Sequence, residues 1–108
     1  MDQRKYPRLK TKMMAEINNN QAFLENVSRE GIKMKIWSDA VPRTRDVEIA
    51  LSVGKQTINL RGIVCWCKRD KNSYQDLKEV GLYLQEPPDE YYRFIDSLSN
   101  QRAQTVQI

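Results

Sequence analysis

The sequence predicts an all-β fold, a six-stranded antiparallel β-barrel with one C-terminal α-helix, on three observations. Apolar and polar residues alternate with a period of two in several short runs. Asn, Gly and Pro punctuate those runs at close spacing, as they do between antiparallel strands. Only the last stretch of the chain switches to helical spacing, which argues against an alternating parallel α/β fold.

Each element follows from its own pattern. Leu9, Thr11, Met13, Ala15 and Ile17 share one parity, opposed by Lys10, Lys12, Met14 and Glu16, as in a half-buried strand. Asn18-Asn19-Asn20 turns the chain, because Asn tolerates left-handed backbone, and a second strand runs from about Ala22 to Val27. Ala22 and Leu24 share the parity of Asn26 while Phe23 shares that of Val27, so either a bulge or an early strand end is expected there. Ile32 to Trp37 alternates again, and the stretch from Ser38 to Arg45, with Pro42, breaks it. Val47, Ile49, Leu51 and Val53 form a strand that turns at Gly54-Lys55 into the long apolar run Ile58 to Cys67, a hairpin pattern. The polar stretch Lys68 to Lys78 precedes a last strand, Val80 to Leu84, which Pro87-Pro88 ends. Tyr91, Phe94, Ile95 and Leu98 then follow i, i+3, i+4, i+7 spacing behind Asp89 and Glu90, whose charge suits a helix N-terminus.

The chain of 108 residues fits one domain. Its expected parts are a flexible basic arm over 1–8, a barrel over 9–86, a helix over 87–100 and a tail over 101–108. At 40% hydrophobic and 30% charged it holds enough apolar residues for a core, although a domain this short buries only about two-thirds of its unfolded surface. No run reaches the ~18 apolar residues of a membrane helix, and the basic N-terminus lacks the apolar stretch of a signal peptide; a cytoplasmic location without membrane insertion is expected.

Catalysis is hard to place. The chain has no His, no Gly-rich phosphate loop and no Ser or Cys with a recognisable base, so no enzyme, cofactor or catalytic residue is expected. Cys65 and Cys67 flank Trp66 without a second pair, which excludes a four-cysteine zinc site and a disulfide framework. They read as reduced thiols, and with Met13, Met14 and Met34 as core filler.

Charge is concentrated instead. Residues 1–12 carry Arg4, Lys5, Arg8, Lys10 and Lys12 against Asp2 alone, within a net charge of +4. In Arg4-Lys5-Tyr6-Pro7-Arg8, Pro7 pushes Tyr6 out of helical backbone, so an extended arm can set one guanidinium on either side of an anionic ligand. Arginine suits this, because its planar fork donates bidentately to phosphate or to guanine O6 and N7. In Asn26-Val27-Ser28-Arg29-Glu30-Gly31, Asn26 and Ser28 share a face while Val27 points into the barrel. Asn26 accepts through its carbonyl, Ser28 adds a short donor and acceptor, and Gly31 permits a positive φ at the turn.

The R-x-x-x-R arm followed by N-x-S-x-x-G at the end of the second strand resembles the PilZ domain, the bacterial cyclic di-GMP receptor family. Gly62-Ile63-Val64-Cys65-Trp66 and Gly81-Leu82-Tyr83-Leu84 resemble its last two strands, so the likeness spans nearly the whole chain. It implies the same barrel-plus-helix fold. It also implies a cyclic di-GMP site in which Arg4 and Arg8, with Lys5 beside them, take phosphates and guanine Hoogsteen edges. Asn26 and Ser28 would contact a guanine, Gly31 would shape the turn and Trp66 would add a stacking surface. Asn26 stands where Asp is more usual in the family, which bears on affinity rather than on ligand identity.

Cyclic di-GMP is therefore the expected ligand, its binding passed on to a protein partner. Two other readings remain: a PilZ-like interaction adaptor that binds no nucleotide, and a small β-barrel that binds single-stranded nucleic acid. Retention of both arginines disfavours the first. Aromatic content of 8%, with Phe23 and Phe94 expected inside, disfavours the second.

Overall fold

The alternation over residues 9–17 becomes a strand whose Leu9, Ala15 and Ile17 are buried while Lys10, Lys12, Met14 and Glu16 are exposed. The computed structural model describes residues 8–70 and 76–106, with side chains as far as residue 100. In chain order the elements are β1 (Leu9–Ile17), β2 (Asn20–Val27), β3 (Gly31–Trp37), β4 (Asp46–Val53), β5 (Gln56–Arg69), β6 (Leu77–Gln85) and α1 (Asp89–Val106), with one turn of 3-10 helix at Ser38–Ala40. The six strands close a barrel in the order β1-β2-β3-β6-β5-β4, each neighbouring pair antiparallel. Closure leaves no strand edge to be covered.

Inward residues from all six strands form one core, among them Ile17, Leu24, Met34, Leu51, Ile58 and Val80, which helix α1 completes with Tyr91, Phe94 and Ile95. The helix therefore buries the face its spacing predicted. It also runs six residues past its expected end, to Val106. Instead of a tail from 101, Gln101-Arg102-Ala103-Gln104 continues the helix, since these are good helix formers with no Gly or Pro among them. Among the described residues no helix is long and apolar enough to cross a membrane.

Four side chains expected inside lie elsewhere. Met34 is core, but Met14 is 40% exposed because it shares the outward parity of Lys12 and Glu16. Phe94 is buried, whereas Phe23 is half-buried on the outer side of β2, one residue out of step with inward Ala22 and Leu24. Cys65 and Cys67 are free thiols, and both are exposed.

The asparagine turn has a second task. Asn18 and Asn19 adopt left-handed φ values of 49° and 68°. In that conformation the Asn18 Oδ1 accepts from the Glu48 N–H at 2.9 Å, while its own N–H donates to the Glu48 carbonyl at 2.8 Å. The turn thus ties β1 to β4 at the end of the barrel. Asn18→Ala removes the acceptor and strains the backbone, and should cost about 1–2 kcal/mol. The expected result is a lower urea midpoint with unchanged slope, partly restored in Asn18→Gly, which relieves the strain alone.

Candidate functional site

Two β-bulges aim the most informative side chains outward. In the β2–β3 ladder Leu24 pairs with Met34 and Asn26 with Lys33, so Glu25 is an extra residue. The inward set Ala22 and Leu24 consequently resumes at Val27, and Asn26, which strict alternation would send into the core, faces out. In the β5–β6 ladder Val64 pairs with Leu82 and Trp66 with Gly81, leaving Cys65 extra. Trp66 shares the parity of inward Ile58, Leu60 and Val64, and this bulge turns it to the outer face. Re-aiming a side chain at a site is a recurrent use of bulges.

The register then sets Lys10, Asn26, Lys33, Gly81 and Trp66 side by side across β1, β2, β3, β6 and β5. With neighbouring strands ~4.8 Å apart, Asn26 and Trp66 stand roughly 14 Å from one another. Gly81 keeps the middle of the row low, because a methyl there would collide with Cε2 and Nε1 of the Trp66 indole lying across it. Lys68 extends over the same ring, its ammonium 5.2 Å from the centroid.

Beside the row, the turn from Ser28 to Gly31 is tightly bonded. The Ser28 N–H donates to the Gly31 carbonyl at 2.8 Å, and the Ser28 hydroxyl accepts from the Gly31 N–H at 3.1 Å and donates to the Gly31 carbonyl at 3.2 Å. Gly31 does shape this turn, but not through the positive φ expected of it; among the described glycines only Gly54 has one. Its reason is close approach, since a Cβ at Gly31 would stand 2.9 Å from the Leu82 carbonyl oxygen of β6.

The turn is also anchored to the helix. The Tyr91 hydroxyl donates to the Ser28 carbonyl at 2.6 Å in a buried contact. The Arg29 guanidinium lies 4.5 Å from the centroid of the Tyr92 ring and 3.5 Å from Asp96 Oδ1.

Arg8, Ser28, Gly31 and Trp66 line one depression of about 280 Å³, together with Cys65 and Tyr83. Asn26 does not share it. It lines an adjoining groove of about 990 Å³ with Lys10, Lys12, Phe23, Glu25 and Lys33, and the two hollows meet across the Lys33–Gly81 pair. Arg4 and Lys5 lie outside the described residues.

Ion pairs bridge the groove. Lys33 Nζ sits 3.4 Å from Glu25 Oε2 and 3.5 Å from Glu79 Oε1, and Lys35 Nζ sits 3.2 Å from Asp70 Oδ2 and 3.8 Å from Glu25 Oε1. Burial works against the Lys35 charge, but the carboxylates of Asp70, Glu25 and Glu79 outweigh it and raise its pKa above the ordinary 10.5. Two acceptors in the groove, Asn26 Oδ1 and Glu25 Oε2, are buried without a hydrogen-bond donor; the Glu25 contact with Lys33 is an ion pair lacking hydrogen-bond geometry.

Sequence reasoning missed Tyr83 and Glu25. Tyr83 is 51% exposed, and its signal was a tyrosine on the outward parity of a strand whose Leu82 and Leu84 point in. Glu25 carried no such signal, because its face depends on where the bulge falls.

Comparison with known proteins agrees with this architecture. Residues 2–101 match the family model of the PilZ domain. Among solved structures, the inhibitor of motility MotI/DgrA of Bacillus subtilis superposes with a TM-score of 0.78 at 12% sequence identity, covering 96% of this chain and 53% of that one. The chain thus spans about half the length of that protein, and at this identity the likeness is one of fold. No curated protein matches it in sequence. A family match over residues 2–101, on a closed six-stranded barrel with a C-terminal helix, shows that the chain belongs to the PilZ domain family, a family of cyclic di-GMP receptors.

Proposed function

We propose that this domain binds cyclic di-GMP on the outer face of β2, β3, β6 and β5, in the cytoplasm, and passes the event to a protein partner. The observation that carries this reading is the pair of bulges, which turn Asn26 and Trp66 outward on one row about the low point at Gly81. Asn26 offers an acceptor to a guanine, and Trp66 offers a face for a base to stack on. Arg8, at the entrance to β1, reaches the neighbouring depression, where its fork suits a phosphate or a guanine Hoogsteen edge. Arg4 and Lys5 belong to the same basic arm and add charge toward a dianionic ligand.

Ser28 takes a role different from direct contact. Its hydroxyl is bonded both ways to Gly31, so it organises the turn at the edge of the site. Through its carbonyl the same turn holds Tyr91, which provides a short route from the site to helix α1.

Calorimetric titration with cyclic di-GMP tests the reading, with GTP as control. Saturable binding at micromolar concentration or tighter is expected, with a loss of at least roughly tenfold in Arg8→Ala, as for a charge-assisted hydrogen-bonding group. Absence of heat from the wild-type protein would overturn the receptor reading in favour of a nucleotide-free adaptor.

A further inference from the structure

The outer sides of β4, β5 and β6 carry a second open surface. Register sets Glu48, Arg61 and Gln85 in one row across the three strands and Asp46, Ile63 and Tyr83 in the next. All but half-buried Ile63 are exposed, so no other element covers this face. A groove of about 940 Å³ there is lined by Glu48, Arg61, Tyr83, Glu86 and Glu90, and a smaller hollow of about 310 Å³ continues it to Asp46. Tyr83 is the more exposed of the two large apolar side chains on the described surface. A tyrosine that the core does not use, standing in a groove, is the kind of anchor that protein interfaces are built on.

Charge identifies the occupant. The carboxylates of Asp46, Glu48, Glu86 and Glu90 line the two hollows against one guanidinium, Arg61, on a chain whose net charge is +4. Among the described residues none of the four has an ion-pair partner. We propose that this face docks a basic segment of a protein partner, with Lys and Arg side chains against these carboxylates and an apolar side chain against Tyr83 and Ile63. The barrel is closed, so the segment is held through side chains and not by adding a strand. The same carboxylates repel nucleic acid.

Docking stands on this surface alone, whereas its link to the ligand rests on the cyclic di-GMP reading above. Tyr83 also lines the depression that holds Arg8 and Trp66, so the two hollows meet at this ring. The guanidinium there opposes an incoming basic segment, and a dianionic ligand bound beside it cancels that charge. Across a single side chain salt screens little of the effect. Ligand therefore tightens docking, and by reciprocity the segment tightens ligand binding by the same factor.

Fluorescence anisotropy with a short labelled peptide alternating Arg and Leu tests the surface, with the same peptide carrying Glu for Arg as control. The basic peptide should bind, about fivefold more weakly in Glu48→Gln/Glu86→Gln, the worth of two exposed charge contacts. Asp39→Asn/Asp96→Asn removes the same net charge outside both hollows and should change the affinity by less than about twofold. Cyclic di-GMP should tighten the basic peptide by about fivefold. No binding of the basic peptide, equal binding of the acidic one, or equal losses in the two double variants would overturn the docking surface. Cyclic di-GMP that binds by calorimetry without tightening the peptide would overturn the link to the ligand site. If cyclic di-GMP does not bind at all, the receptor reading and the link fall together, and the peptide affinities still decide the surface.

Discussion

Replacing Tyr91 with alanine should lower the unfolding free energy by about 3–5 kcal/mol, the usual cost of deleting a buried aromatic ring. Few single substitutions in this domain should cost more. Tyr91 is 0% exposed, and its ring packs edge-on to Tyr92 and tilted to Phe94, with centroids 6.1 Å and 6.2 Å away. Small domains hold only about 5–15 kcal/mol in total, so the variant should be partly unfolded at 37 °C by circular dichroism. Tyr91→Phe separates the hydroxyl from the ring. It leaves the Ser28 carbonyl without its 2.6 Å donor and should cost about 1–2 kcal/mol.

The same residue predicts a pH dependence. Burial, with a smaller contribution from Tyr92, pushes the phenol pKa above its ordinary 10.0. The folded state then holds a proton that the unfolded state releases, so the stabilisation is complete below pH 10 and declines as pH rises beyond it, by up to about 1.4 kcal/mol per unit. Urea melts from pH 9 to 11 should therefore bring wild type and Tyr91→Phe closer together at the alkaline end. A constant gap would show that the hydroxyl is not held as the geometry implies.

Gly81→Ala should have the second large effect, this time on binding. The atoms nearest such a methyl group all belong to the Trp66 indole, so the ring should swing aside while the barrel survives. If a base stacks on that ring, affinity for cyclic di-GMP should fall by roughly tenfold or more, as when a stacking aromatic is truncated. Trp66→Ala should show a similar loss, and the double variant should be no worse than either single one, because Gly81 acts only through Trp66. Additive losses would mean that Gly81 touches the ligand by another route.

Much of the fold was legible in the sequence because short strands with one buried face repeat every second residue. Leu9 to Ile17, Val47 to Val53 and the Tyr91-Phe94-Ile95 stripe each appear inside as their spacing required. The strands themselves start earlier or run longer than the apolar runs do: β5 reaches Arg69 and β6 begins at Leu77, since backbone pairing continues after the side chains cease to be apolar.

The candidate site was legible in part. The N-x-S-x-x-G turn is local, and its hydrogen bonds join residues three apart, Ser28 and Gly31. The role of Gly31 was misread because the carbonyl that excludes a side chain there belongs to Leu82, 51 positions further on. What the sequence determined by itself was the number of strands, the buried face of their regular stretches and the basic arm, all set by interactions over a few residues. The tertiary structure alone decided where the ladders slip by one. That choice belongs to the pairing of β2 with β3 and of β5 with β6, and it determines whether Asn26, Trp66 and Glu25 face the core or the solvent.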